Sequence, residues 1–338
     1  MKKFISLVLA AAMVLAMTFV LAGCGDKEDA GADGLKIVGV VATALGDKSF
    51  NDSAKEGLDR LKDEGYDTSI VECNGDSGLW EQNLRNAADT ADMVFAVGSE
   101  LNMIEDVAKD YPDVKFVWVD NVSDHLSDYD NLTCVSYKQN EGSYLVGYIA
   151  GKMSKSGVVG FVGGADIPVI NDFYVGYAQG AKDANADVKV VKNYTGDWSD
   201  TDKGAQCAQD LKAQGADIIF CAAGGSGNGV ILKAKELGIK AIGVDQDQRI
   251  TMSDYADEIL CSMVKNVGNS VVDIVEAYAK DGTWTGGEVF SAGMEGNYIG
   301  VAYGAEDQEV LVPQDIIDEL DQKIADIQAG KIVVDTVL

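Results

Sequence analysis

Acidic, amide, glycine and aromatic residues collect at the ends of this chain's apolar runs. Asp47, Phe50 and Asn51 follow the run 36–41, Gly98 and Ser99 follow 93–97, and Asp120 and Asn121 follow 115–119. Later runs close on Gly163 and Gly164, on Gly224 and Gly225, and on Asp245. Glycines let a backbone approach a ligand and expose N–H donors at helix starts, whereas carboxylates and amides accept from hydroxyl and N–H groups. Phe50, Phe173 and Trp198 add flat apolar faces, and a base stacked on such a ring gains about 1–3 kcal/mol. Together these residues suit a neutral, polyhydroxylated ligand. Each also has a plainer reading, Asp as a helix N-cap, Gly-Gly as a tight turn, Phe173 as core. Their common location beyond strand ends is what favours binding.

Reaction chemistry is poorly served. The sole histidine, His125, lies in the polar stretch 122–130 and reads as a solvated loop residue. The run Gly224–Gly229 lacks the Gly-Lys-[Ser/Thr] of a phosphate loop, and Gly39 and Gly46 do not make the Gly-x-Gly-x-x-Gly of a dinucleotide site. No grouping suggests a metal, no cofactor is expected, and the chain does not read as an enzyme. Five cysteines follow Cys24, an odd number in mostly apolar surroundings, which predicts core thiols and excludes a complete disulfide framework.

The elements that must position these residues alternate. Strands are predicted at 36–41, 69–72, 93–97, 115–119, 157–162, 188–191, 217–222 and 240–244. Helices fall near 52–64, 79–89, 101–110, 141–153, 171–185, 201–214 and 228–237. Two such series predict an α/β protein with two doubly wound parallel-sheet lobes. Ser53 and Glu56 have capping-box spacing, which places the first helix start just after Phe50-Asn51. Segments 36–137 and about 262–297 are assigned to an N-terminal lobe, and 138–261 and about 298–338 to a C-terminal lobe. A multi-strand hinge is expected near 136–140, 261–266 and 298–302.

Residues 1–23 read as a signal peptide: Lys2 and Lys3, an apolar run from Phe4 to Leu21, then small residues ending at Cys24. Leu21-Ala22-Gly23-Cys24 resembles a lipobox, so Cys24 is the expected lipidation site and residues 24–35 a tether. This places the protein on the extracytoplasmic face of the cell membrane. The net charge of −28, with 27 basic residues in no run longer than two, disfavours nucleic acid as a partner.

Several stretches carry a family resemblance. The lipobox, Asp47–Gly57, Ala108–Phe116 running to Asp120, Glu141–Gly151, Gly163–Pro168 with Phe173 and Gly176, Trp198–Asp200, Gly215–Ile219 and Gly243–Asp245 resemble the basic membrane protein family. The resemblance covers nearly the whole mature chain. It implies a type I periplasmic-binding-protein fold and a monomeric lipoprotein that delivers a nucleoside, a purine by preference, to an ABC permease. It further implies that Phe50 stacks on the base, that Asn51 and Asp120 contact it, and that Asp245 and Lys265 hold ribose hydroxyls. Phe173 or Trp198 would be the opposing ring. A pentose or other small sugar, or a sensory lipoprotein of the same fold, remains as the alternative.

Overall fold

The computed structural model describes residues 34–338; the leader and Cys24 lie outside the described residues. The chain alternates from its start: β1 (Lys36–Val41), α1 (Phe50–Asp63), β2 (Asp67–Glu72), α2 (Trp80–Ala88), β3 (Met93–Val97), α3 (Ile104–Asp110), β4 (Lys115–Val119) and β5 (Leu132–Tyr137). A second series follows: α4 (Gln139–Met153), β6 (Val158–Gly163), α5 (Pro168–Ala184), β7 (Lys189–Tyr194), α6 (Thr201–Ala213), β8 (Ile218–Ala222), α7 (Gly224–Leu237), β9 (Lys240–Asp245), α8 (Gln248–Thr251) and β10 (Ile259–Lys265). The chain ends with α9 (Val267–Asp281), β11 (Val289–Ala292), β12 (Ile299–Ala302) and α10 (Gln314–Gln328).

Two six-stranded sheets result, ordered β11-β5-β4-β3-β1-β2 and β12-β10-β9-β8-β6-β7. The second repeats the first strand for strand, so β4 and β9 are equivalent, as are β5 and β10. Every pairing is parallel except that of β12 with β10. The architecture is therefore α/β, two lobes each built on a parallel-dominated sheet. The inner strands are apolar on both faces because helices cover both. In the first sheet Val38, Val40, Val94 and Ala96 pack with Leu84 of α2 and Val107 of α3, whereas Ile37, Val41, Phe95 and Val97 pack with Leu58 of α1 and Val271 of α9. The edge strand β2 instead alternates exposed and half-buried positions.

The chain passes between the sheets three times, at Lys138, at Asn266 and between Ala292 and Ile299. Cys261–Lys265 and Ile299–Ala302, expected in the hinge, are sheet residues: Lys265 pairs with Ile299 and Ser262 with Ala302. Ser262–Lys265 thus lie in the second sheet rather than in the N-terminal lobe. The glycine run after β8 also differs from expectation, since α7 starts at Gly224 and not near 228. Its glycines admit a neighbouring helix: a Cβ on Gly229 would lie 1.8 Å from the Thr201 carbonyl oxygen, and one on Gly204 of α6 equally close to that of Ser226. All five described cysteines, Cys73, Cys134, Cys207, Cys221 and Cys261, are buried free thiols.

Candidate functional site

The loop from β1 to α1 is organised by one carboxylate. Asp47, 8% exposed, accepts hydrogen bonds from the backbone N–H groups of Ser49 (3.0 Å), Asn51 (2.9 Å) and Asp52 (3.1 Å). It supplies the negative charge and the acceptors that a helix N-terminus lacks. The capping box expected at Ser53 and Glu56 does not form, because α1 already starts at Phe50 and Ser53 is buried inside it. Burial pushes the Asp47 carboxyl up to about 6 against the pull of those amides. Asn51 commits its side-chain NH₂ to Thr43 Oγ1 (2.7 Å) and the Ala44 carbonyl (3.0 Å), leaving its own carbonyl oxygen as acceptor. This bracing places Phe50 at the wall of a cavity between the lobes.

Asp120 follows β4 and Asp245 ends β9, at equivalent positions of the two sheets. Both hold left-handed backbone, φ 67° and 64°, which costs a non-glycine residue roughly 1–3 kcal/mol and recurs at ligand clamps. Between them comes Lys265, the last residue of β10 and 2% exposed, whose Nζ donates to Asp120 Oδ2 at 2.8 Å. The same ammonium lies 4.9 Å from the ring centres of both Phe50 and Phe173 and 5.2 Å from that of Tyr137. Asp245 is pushed up to about 6 by burial, opposed by Lys265 and by the hydrogen bond it accepts from Ser49 Oγ.

The cavity opens to solvent and, with the open space at its mouth included, spans about 630 Å³. Asp47, Phe50, Asn51, Gly98 and Asp120 line it from the first lobe, and Phe173, Trp198, Gly224, Asp245 and Lys265 from the second. Gly225 stands behind the wall and faces the Trp198 carbonyl oxygen, 3.2 Å from where its Cβ would be. Trp198 lies against Gly164, whose Cβ would fall 2.1 Å from the indole ring; Gly164 thus makes room for a side chain. Sequence reasoning missed Glu100, Thr43, Val169 and Ile170, which also line the cavity. Glu100, three residues past Val97, and Thr43, two past Val41, were both within reach of the strand-end rule; Val169 and Ile170, inside α5, had no such signal.

The lobes touch across the mouth as well. Asn228 Nδ2 donates to the Asp47 carbonyl (3.0 Å) and Gln248 Nε2 to that of Lys48 (3.0 Å), beside the Ser49–Asp245 and Lys265–Asp120 contacts. His125 is exposed in a loop away from the cavity, and among the described residues no cluster of His, Cys, Asp or Glu is arranged to hold a metal ion. Three aromatic side chains, four carboxylates and one ammonium line the interlobe space and equip the site to hold a ligand by contacts from both sides.

Comparison with known proteins agrees with this geometry. Residues 35–336 match the family model described as ABC transporter substrate-binding protein PnrA-like. The chain is 33% identical to a CD4+ T-cell-stimulating antigen of Listeria monocytogenes, over 94% of this chain and 96% of that protein. It is 31% identical to basic membrane protein A of Borreliella burgdorferi, over 85% of each. Among solved structures, an ABC transporter solute-binding protein from Aeropyrum pernix K1 superposes with a TM-score of 0.78 at 24% identity, covering 89% of this chain and 94% of that one.

Proposed function

The chain belongs to the PnrA-like family of ABC transporter substrate-binding proteins, and from that premise we propose that it captures a nucleoside, a purine by preference, between its lobes and delivers it to an ABC permease. The observation that carries this reading is the pair of rings, Phe50 from one lobe and Phe173 from the other, each 4.9 Å from the same ammonium. A slot walled by two rings fits a flat base, and stacking on each face adds about 1–3 kcal/mol. Phe173 is the opposing stacker in this reading, since Trp198 is set aside against Gly164. Asp245 and Lys265 then serve the ribose, whose hydroxyls can donate to a carboxylate and accept from an ammonium, while Asn51 and Asp120 meet the base. Four carboxylates against one ammonium disfavour a phosphorylated ligand.

Contacts from both lobes favour the closed form, and a ligand shifts the lobes only by its greater affinity for that form. The permease reads closure. The protein acts as a monomer on the extracytoplasmic face of the cell membrane, held by lipid on Cys24; among the described residues no helix is long and apolar enough to cross a membrane. Replacing Cys24 with Ser should release the protein from the membrane fraction of its host.

Ligand released by denaturing the purified protein, identified by mass spectrometry, tests the reading together with a thermal-shift panel. Purine nucleosides should raise the melting temperature and free pentoses should not. A pentose that stabilises the protein while nucleosides do not would transfer the site to a sugar.

A further inference from the structure

β3 ends at Val97, and the chain turns through Gly98 with φ +122° before Glu100. A Cβ at Gly98 would stand 2.8 Å from Glu100 Oε2, so the missing side chain is what lets this carboxylate fold back over the strand end toward the cavity. Its three neighbours are already committed: Asp47 to three backbone amides, Asp120 to Lys265, and Asp245 to Ser49 beside Lys265. Glu100 lines the cavity beside Trp198 without such a commitment, and burial together with the negative charge of Asp120 pushes its carboxyl up. A carboxylate with free lone pairs in a partly dehydrated cavity binds best to two N–H donors lying side by side in one plane, because both bonds are then charge-assisted.

Among the common nucleobases guanine presents that edge, with N1–H next to the 2-amino group. Hypoxanthine offers N1–H alone, while adenine and cytosine set an amino group beside an acceptor that repels an ionised carboxylate. We propose that Glu100 is a specificity-determining residue that selects guanine nucleosides through this paired-donor edge. The assignment rests on the nucleoside reading of the cavity.

Isothermal titration of guanosine, inosine and adenosine into the wild-type protein and the near-isosteric Glu100→Gln variant tests it, at about pH 8 and about pH 5.5. At the higher pH the wild type should bind guanosine at least about tenfold more tightly than inosine, the worth of one good hydrogen bond to a charged group. The variant should lose that preference to within about threefold while keeping its inosine affinity, which a merely structural role would not do.

Equal binding of guanosine and inosine by the wild type, or a preference that survives in the variant, overturns the assignment. A uniform loss for all three ligands overturns it too, since Glu100 would then be structural. An adenosine preference that appears in the wild type only at the lower pH and in the variant at both pH values would replace guanine by adenine, because the Gln amide offers the same donor and acceptor as a protonated Glu100. Failure of a folded wild type to bind any nucleoside would instead sink the reading beneath.

Discussion

Phe50 begins α1 with its ring half-buried, so shortening it removes a ligand face without emptying a core. Phe50→Ala should therefore weaken nucleoside binding about tenfold or more, the equivalent of 1–3 kcal/mol of stacking, with the fold retained in calorimetry. Undiminished affinity would take Phe50 out of the site. The two raised carboxyls make a different prediction. Asp47 and Asp245 hold protons in the folded protein between their ordinary value of 3.8 and about 6, where an unfolded chain has released them. The folded state then binds more protons than the unfolded one, so this contribution to stability falls as pH rises through that window. Urea unfolding across it should show that fall, and Asp245→Asn should flatten it. Lys265→Met should destabilise the protein by roughly 3 kcal/mol, because it strands buried Asp245 and half-buried Asp120 without their cation.

Helix crossings set where the rings stand. Gly147 and Gly151 of α4 meet α5 at backbone distance, and Gly176 and Gly180 of α5 do the same in return. A Cβ on Gly176 would lie 2.1 Å from the Asn140 carbonyl oxygen, and one on Gly180 would lie 1.9 Å from that of Tyr144. Phe173 sits three residues before Gly176 on the same helix, so any spreading of the crossing moves the ring. Gly180→Val should cost about 1–3 kcal/mol or more by overpacking, read as a lower midpoint in denaturant. Gly176→Ala should weaken ligand binding more than its stability loss alone accounts for, seen by comparing titration with unfolding of the same variant. The sequence marked Gly176 and Gly151 only as parts of a family pattern; that they are contact points followed once α4 was seen against α5.

Across the whole molecule, closure rests on a few polar bridges. Asn228 and Gln248 reach from the second lobe to carbonyls of the Asp47–Lys48 turn without lining the cavity. Gln248 also accepts from the Val244 amide within its own lobe (3.0 Å), so Asn228→Ala is the cleaner change and removes about 0.5–1.5 kcal/mol from the closed form. Apparent ligand affinity should drop about threefold to tenfold with no change in ligand preference, since affinity scales with the fraction that is closed. Small-angle scattering of the ligand-free variant should show a larger radius of gyration than the wild type; an unchanged radius would remove these bridges from the account.

The alternation of strands and helices, the two-lobe plan and the strand-end placement of Asp47, Phe50, Asn51, Gly98, Asp120 and Asp245 were legible in sequence, because period, length and turn chemistry are local properties of a chain. What tertiary structure decided were matters of distance between remote segments. Asp120 and Lys265 lie 145 residues apart and form one ion pair, Asp47 rather than Ser53 receives the first amides of α1, and Glu100 reaches the cavity because Gly98 has no side chain. Phe173 and Phe50 share the Lys265 ammonium across the cleft while Trp198 folds onto Gly164, a choice no local pattern encodes because it depends on which surfaces two separately folded sheets bring together.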